Sequence, residues 1–388
     1  MTSERSSPGT ARRLAVDAVV AVEAGARANV AVPELLAASA LESRDRAFVT
    51  ELVYGTVRMR RACDWLVERF SRGRLEPRVR AALHVGAYQL AFLGTPPHAA
   101  VSATVAEVDG PARGLVNAVL RRVAGLVDGG VRWPSRAVEL SYPDWLVELL
   151  VADLGAPVAY AALAQMNEPA AATVRADGYT QDRGSQLVAA HLGARPGETV
   201  LDLCAAPGGK ATALAGEGAW VVAADIEQAR SRVVAKNASR LGLAGGQLAV
   251  VTADGHRPPW RPGSFERVLV DAPCSGLGVL RRRPDARWRV RAGDLPRLAA
   301  LQRRLVEAAA EMVRPGGTLV YSVCTLSRAE TAALDRWAAA PESPVAGWAP
   351  LPPPDAPWKP AGRGALLLPQ TEGTDGMFLL GLRRPGGG

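Results

Sequence analysis

The chain has 388 residues, of which 48% are apolar and 22% charged, with a formal net charge of +8. One hydrophobic core seldom supports that length, so two domains are the default, and the basic balance favours a polyanionic partner. Four cysteines without a C-x-x-C, beside only four histidines, argue against a zinc site and a disulfide framework, so no metal is expected.

The apolar stretch Leu14–Val22 is interrupted by Asp17, with Glu23 following, which argues against an export signal and for a cytoplasmic protein. No uncharged apolar run is long enough to span a bilayer, so no membrane association is expected. From Ala11 to Leu126 the pattern is helical, with breaks at glycine and proline. Leu14, Ala18, Ala21 and Val22 share one face, Leu83, Ala87, Leu90 and Ala91 a second, and Val116, Val119, Leu120 and Val123 a third. Such stripes are core surfaces, and they predict an all-helical domain over 8–130. Gly129-Gly130 through Pro134 marks its exit, and Ser141–Trp145 opens a short helical stretch within a linking segment, 138–185.

Over 186–385 short apolar runs alternate with longer helical patterns, the signature of a parallel sheet wrapped by helices. Strands are predicted at Thr199–Leu203, Trp220–Ala224, Leu248–Thr252, Arg267–Val270, Thr318–Ser322 and Met377–Leu382. The proline-rich segment around Pro350–Pro360 is expected to be a flexible loop. The fold class is thus α+β and multidomain, a helical domain followed by a Rossmann-like α/β domain.

In open α/β sheets ligands bind outside the carboxyl ends of the strands. Those ends carry Gly208-Gly209, Asp225, Asp254 and Asp271. The glycines let backbone approach a ligand closely, and Asp225, ending the second strand, can accept both ribose hydroxyls. Neither G-x-G-x-x-G nor G-x-x-x-x-G-K-[ST] is present, so a nucleoside cofactor without a pyrophosphate is expected: S-adenosyl-L-methionine. A lone Gly-Gly is a turn more often than a site. Three acids ending successive strands behind a Pro-Gly-Gly turn are much less easily accidental.

Two of the four cysteines, Cys274 in Asp271-Ala272-Pro273-Cys274 and Cys324 in Tyr321-Ser322-Val323-Cys324, follow strands directly. A single strand-end cysteine is best read as a small buried hydrophobe; two are not. Methylation of cytosine at carbon 5 needs this chemistry. A thiolate adding to carbon 6 makes carbon 5 nucleophilic, and an acid beside ring nitrogen 3 stabilises the adduct. The arginine run Arg281–Arg291 directly after the Pro-Cys, with Trp288 available for stacking, is expected to face RNA. Position alone leaves open which thiol attacks, since a Pro-Cys cysteine is also suited to the task.

The segment Val200-Leu201-Asp202-Leu203-Cys204-Ala205-Ala206-Pro207-Gly208-Gly209-Lys210, the Asp-Ala-Pro-Cys-Ser-Gly block at Asp271–Gly276 and Tyr321–Thr325 resemble the RsmB (Fmu/Sun) ribosomal RNA cytosine-C5 methyltransferases. Asp45–Val49, Leu52–Gly55 and Val116–Arg121 are similar to the NusB-type RNA-binding domain of that branch, and Gly373–Phe378 to its closing strand. The resemblance implies a class I methyltransferase domain over 186–385 and a cofactor pocket lined by Cys204, Ala205, Ala206, Pro207, Gly208, Gly209, Lys210, Asp225, Asp254 and Asp271. It implies Cys324 as nucleophile, Cys274 as the thiol assisting product release, and Asp271 also at the target base. The implied substrate is 16S ribosomal RNA, at cytosine 967, bound by a monomer, with no DNA partner. A transfer-RNA enzyme of the same chemistry, or a NusB-like RNA-binding protein with a decayed catalytic half, are the alternatives. The chain departs from the pattern in three places. Asn167-Glu168-Pro169 is followed almost at once by Gln181-Asp182, without a strand-and-helix portion of the linking subdomain. Val323 replaces a threonine, and Ser327-Arg328-Ala329-Glu330 lacks the usual proline and asparagine.

Overall fold

The computed structural model describes residues 8–243 and 245–387, and the chain divides into two compact units. The first is built from residues up to Glu148 together with Leu280–Arg289, and the second from Leu149–Val279 with Val290 onward. Among the described residues no helix is long and apolar enough to cross a membrane.

The first unit is all helical: α1 (Pro8–Glu23), α2 (Ala28–Ala37), α3 (Ser43–Arg58), α4 (Arg60–Glu68), α5 (Pro77–Ala91), α6 (Pro97–Val105), α7 (Ala112–Asp128) and α8 (Arg136–Glu139). Helix α5 begins as its sequence dictates. Pro77 supplies a helical φ at the first position, and the Glu76 carboxylate accepts the Arg78 and Val79 N–H groups. Small residues let the helices close on one another. A Cβ on Gly55 would fall 2.1 Å from the Tyr88 ring, and one on Gly86 2.5 Å from Leu120. The stripe on α7 is buried as expected, and that on α5 is buried at Leu83, Ala87 and Leu90 with Ala91 half-buried. On α1 the buried face is instead Ala11, Ala15, Val16, Ala18 and Val19, with Leu14 and Val22 only half-buried. Alanines at i, i+4 and i+7 bring α1 close against α3 and α5, a fit that leucine would prevent.

The second unit starts with most of α9 (Asp144–Leu154), then α10 (Ala156–Gln165), an isolated bridge between Val174 and Thr180, and α11 (Arg183–Leu192). Strands and helices then alternate: β1 (Thr199–Asp202), α12 (Gly209–Gly216), β2 (Trp220–Asp225), α13 (Gln228–Arg240), β3 (Leu248–Thr252) and β4 (Phe265–Asp271). After α14 (Ala286–Arg289), which belongs to the helical unit, come α15 (Asp294–Met312), β5 (Val313–Val323) and α16 (Ala332–Ala339). The chain closes with β6 (Ala349–Pro350), β7 (Lys359–Ala361), β8 (Gly364–Leu367), α17 (Pro369–Glu372) and β9 (Met377–Arg383).

The sheet order is β3-β2-β1-β4-β5-β9-β8-β7, parallel through β5 and antiparallel beyond, with β6 on β9. Two apolar layers sandwich it. One is centred on Leu192, Leu214 and Val234, the other on Leu305, Val306 and Leu334. The order reverses between β1 and β4, so the crevice that such sheets use for ligands opens at the carboxyl ends of those strands. The proline-rich segment is not a free loop. It contributes β6 and β7 to the sheet edge and buries Trp358. Prolines hide strand pairing from a sequence reading, but edge strands tolerate the missing N–H.

Candidate active site

At the carboxyl end of β1 the chain turns through Cys204-Ala205-Ala206-Pro207-Gly208 into α12. Gly208 has φ of 101°, which favours glycine, and a Cβ there would stand 3.0 Å from Val234. Several groups hold the turn's carbonyls. Arg230 donates to Ala206 O at 3.1 Å, Asn237 to Pro207 O at 2.9 Å, and Arg175 to Gly209 O. A Cβ on Gly209 would meet the Gln181 amide at 3.2 Å, so the segment just before α11 backs the turn. Asp225 accepts the Ala206 N–H at 3.3 Å and the Glu227 N–H at 3.1 Å, with Arg230 3.4 Å away. These contacts set the carboxylate beside the glycine turn.

Lys210 is buried, and its ammonium lies 2.7 Å from Asp271 Oδ2 and 3.0 Å from Ser185 Oγ. Burial alone would lower its pKa, but Asp271, Asp202 and Cys324 together hold it above the ordinary value, so it stays charged. Asp202, which ends β1, is 1% exposed, and neither carboxyl oxygen has a hydrogen bond of ordinary geometry. Burial foremost, then the neighbouring Asp271, push it up to about 7, against the pull of Lys210 and the Cys204 N–H. Asp202 was not among the predicted site residues. Its only signal in the sequence was a polar residue closing an apolar strand. Ile226, beside Asp225 and 61% exposed, was also missed. Asp254 lies past β3 in a half-exposed position, where the His256 N–H holds its carboxyl below the usual range. Burial pushes the Cys204 thiol up, reinforced by Asp202 and Asp271, so it remains protonated.

Cys274 and Cys324, each half-buried, bring their sulfurs to 3.3 Å. A buried polar network fixes the two loops that carry them. Glu330, fully buried, accepts the Ser275 N–H at 2.9 Å, the Ser275 hydroxyl at 2.5 Å and the Gln302 amide at 2.9 Å. Gln302 also donates to Pro273 O at 2.9 Å, and Ser275 and Thr325 hydroxyls are 2.8 Å apart. Behind both loops, Gly278 donates to Cys324 O at 3.0 Å and accepts the Gly376 N–H at 2.8 Å. The contact with Cys324 first, and burial second, push the Cys274 thiol well above its ordinary value. The Lys210 ammonium is near enough to Cys324 to be raised by it.

Two arginines of the run, Arg281 and Arg287, depart from the expectation of an RNA-facing strip. Arg287 is fully buried in the helical unit, donating to Arg58 O and Ser141 O at 3.1 Å and lying 3.9 Å over the Tyr142 ring. Burial lowers its pKa to about 10. Arg281 is buried as well, and Trp288 donates its indole N–H to Val57 O at 2.7 Å. Carbonyls left open at helix ends can satisfy a guanidinium, and spacing in sequence gives no sign of that. Arg283, Arg289 and Arg291 remain exposed.

A model of the 16S rRNA methyltransferase RsmB/F family matches residues 189–383, and one of the NusB family matches residues 9–125. The chain is 38% identical to ribosomal RNA small subunit methyltransferase B of Thermus thermophilus, covering 97% of this chain and 98% of that protein. It is 36% identical to a putative methyltransferase of Mycobacterium tuberculosis, covering 96% of each. The crystal structure of PH0851 is similar with a TM-score of 0.76 at 21% identity, covering 97% of this chain and 99% of that one. A methyltransferase homolog protein from Pyrococcus horikoshii gives a TM-score of 0.52 at 22% identity, over 65% of this chain and all of that one. The two structures share the fold.

Proposed function

The chain belongs to the 16S rRNA methyltransferase RsmB/F family and is an S-adenosyl-L-methionine-dependent RNA cytosine-C5 methyltransferase, and from that premise we propose that it acts on small-subunit ribosomal RNA through Cys324. The single observation that supports the assignment of the two thiols is the 3.3 Å approach of Cys274 to Cys324 at the carboxyl end of the sheet.

The residues present fit the cofactor. Asp225 would accept the ribose hydroxyls, Ile226 would cover the adenine face, and the Gly208-Gly209 backbone with Ala205, Ala206 and Pro207 would border the rest. Asp202, whose buried oxygens have no ordinary partner, is placed to receive a donor from the bound molecule. Cys204 would line the pocket through its backbone, and Asp254 its outer edge. When bound, the cofactor supplies an electrophilic methyl group on a sulfonium.

In the proposed mechanism the Cys324 thiolate adds to carbon 6 of the target cytosine, and the electron pair of the 5,6 double bond becomes available at carbon 5. Asp271, paired to Lys210, is set to engage the ring-nitrogen edge and stabilise the protonated ring of the adduct. After methylation, a base from the solvent takes the carbon-5 proton, the C–H electron pair restores the 5,6 double bond, and the carbon–sulfur bond breaks to release Cys324 as thiolate. Cys274, 3.3 Å away, can donate a hydrogen bond to the departing sulfur and so ease its release. Lys210 keeps a positive charge beside these steps, in a site where charges act strongly.

The helical residues 8–130 would contact the RNA, with 138–185 linking them to the catalytic residues 186–385, as a monomer in the cytoplasm. Bisulfite sequencing of total RNA from a deletion strain tests the substrate. Loss of one methylated cytosine in 16S rRNA, at position 967 on the family pattern, is the expected result. Loss in a transfer RNA instead, or no loss together with no heat of S-adenosylmethionine binding, would replace the proposal.

A further inference from the structure

The helical unit holds a crevice apart from the catalytic residues, floored by Val19, Val22 and Val57. Its walls are Trp288 and Arg60, whose guanidinium lies 5.6 Å over the indole ring. The indole N–H is already committed to Val57 O, which fixes the plane of the ring.

Two buried polar atoms in the lining have no hydrogen-bond partner: Asp285 Oδ1 and Thr56 Oγ1. Asp285 is 2% exposed and Thr56 1%. The other oxygen of Asp285 accepts from Arg289 at 2.6 Å, and Glu23 is occupied by His84 at 2.9 Å and Arg80 at 2.7 Å. Asp285 Oδ1 is therefore the free acceptor. A buried carboxylate oxygen without a donor is costly and calls for one. It also repels a free anion, which excludes inorganic phosphate as the natural occupant.

A flat aromatic wall, a guanidinium, an apolar floor and one unmatched acceptor form the complement of a nucleobase that carries an exocyclic amino group. Arg60 and Arg289, both exposed in part, stand where flanking phosphates of a strand would pass. We infer that this crevice takes an unpaired amino-bearing base of the RNA, stacked on Trp288 with its amine donating to Asp285 Oδ1. The inference rests on RNA being the substrate. It adds a second, non-reacting base contact that anchors the strand on the helical unit.

The test is saturation-transfer NMR on the full chain with the cofactor site filled by S-adenosylhomocysteine, using CMP and UMP, and AMP and IMP, as probes. In each pair only the first carries the amine. Asp285→Asn keeps an oxygen for Arg289 and turns an amide N–H₂ toward the crevice, so the crevice's preference is expected to invert from CMP to UMP and from AMP to IMP. Binding of CMP at the catalytic thiols does not involve Asp285 and cannot invert. In Val22→Trp, which fills the floor, the crevice signal should vanish for all four probes, and KM for RNA should rise by about tenfold, the order of one lost stacked base. A preference unchanged by Asp285→Asn, or signals and KM unchanged by Val22→Trp, overturns the inference. Because the nucleotide readout does not depend on methyl transfer, a wild-type chain that methylates no RNA would refute the proposed function separately.

Discussion

The Cys274 and Cys324 sulfurs lie 3.3 Å apart across 50 residues of chain, close enough for either to donate to the other. Cys324→Ala is expected to reduce methyl transfer by roughly a thousandfold or more, as loss of a covalent nucleophile does elsewhere. Cys274→Ala should instead trap RNA on the protein as a band that survives denaturing electrophoresis. A trapped band in the Cys324 variant, or its absence in the Cys274 variant, reverses the two roles.

Glu330 ties the Cys274 loop to the Cys324 loop through Ser275 and Gln302. Glu330→Ala strands three buried donors and should lower stability by about 3 kcal/mol. Glu330→Gln keeps the shape and part of the bonding, and should cost kcat more than it costs cofactor affinity. Urea titration and single-turnover rates measure the two effects. A kcat equal to wild type in Glu330→Gln would show that the loops hold their geometry without this carboxylate.

Gly278 sits where β9's approach and the Cys324 loop meet. A Cβ there would stand 2.0 Å from Gly376 O, a backbone atom that cannot turn aside. Gly278→Ala should therefore separate the closing strand from the thiol loop and cost a few kcal/mol, by about the scale of overpacking in cores. Thermal unfolding and methyl transfer should fall together. A fully active Gly278→Ala enzyme contradicts this packing.

His84 in the helical unit lies between Glu23 Oε1 at 2.9 Å and Asp64 Oδ1 at 2.8 Å. Burial alone would lower its pKa, but hydrogen bonds to Asp64 and Glu23 prevail and raise it from 6.5 to about 9. A raised folded pKa makes this contribution complete below about 6.5, where the unfolded imidazole is also protonated, and removes it as pH climbs through 9. Urea titrations should show stability declining across that window. His84→Gln should be less stable at pH 6 and flatter above it.

Asp202 carries the opposite sign. Its carboxyl, raised from 3.8 to about 7, imposes no penalty below 3.8, an increasing one up to about 7, and the full one beyond. Asp202→Asn should raise stability at pH 8, leave it nearly unchanged near the acid end, and weaken S-adenosylmethionine binding in calorimetry. Unchanged cofactor affinity would remove Asp202 from the pocket.

Much of the site could be read from the sequence because its chemistry is local. Glycines at a strand–helix turn, acids closing strands and cysteines after strands each carry their meaning within a few residues. What escaped was nonlocal. Asp202 looked like one more strand residue until burial left its oxygens without ordinary partners. Arg281 and Arg287 looked like part of an RNA-facing strip, yet both are buried, and the Arg58 and Ser141 carbonyls take up the Arg287 guanidinium. The α1 stripe was misplaced because alanine marks a close helix contact without much hydrophobicity of its own. The edge strands near Pro350 were lost because proline signals a break in sequence and a tolerated edge in a sheet.

Because Leu280–Arg289 completes the helical unit, residues up to Glu148 do not make up the whole of it. A fragment ending near Glu148 would leave Tyr142 without its guanidinium cover and Val57 O without its indole donor.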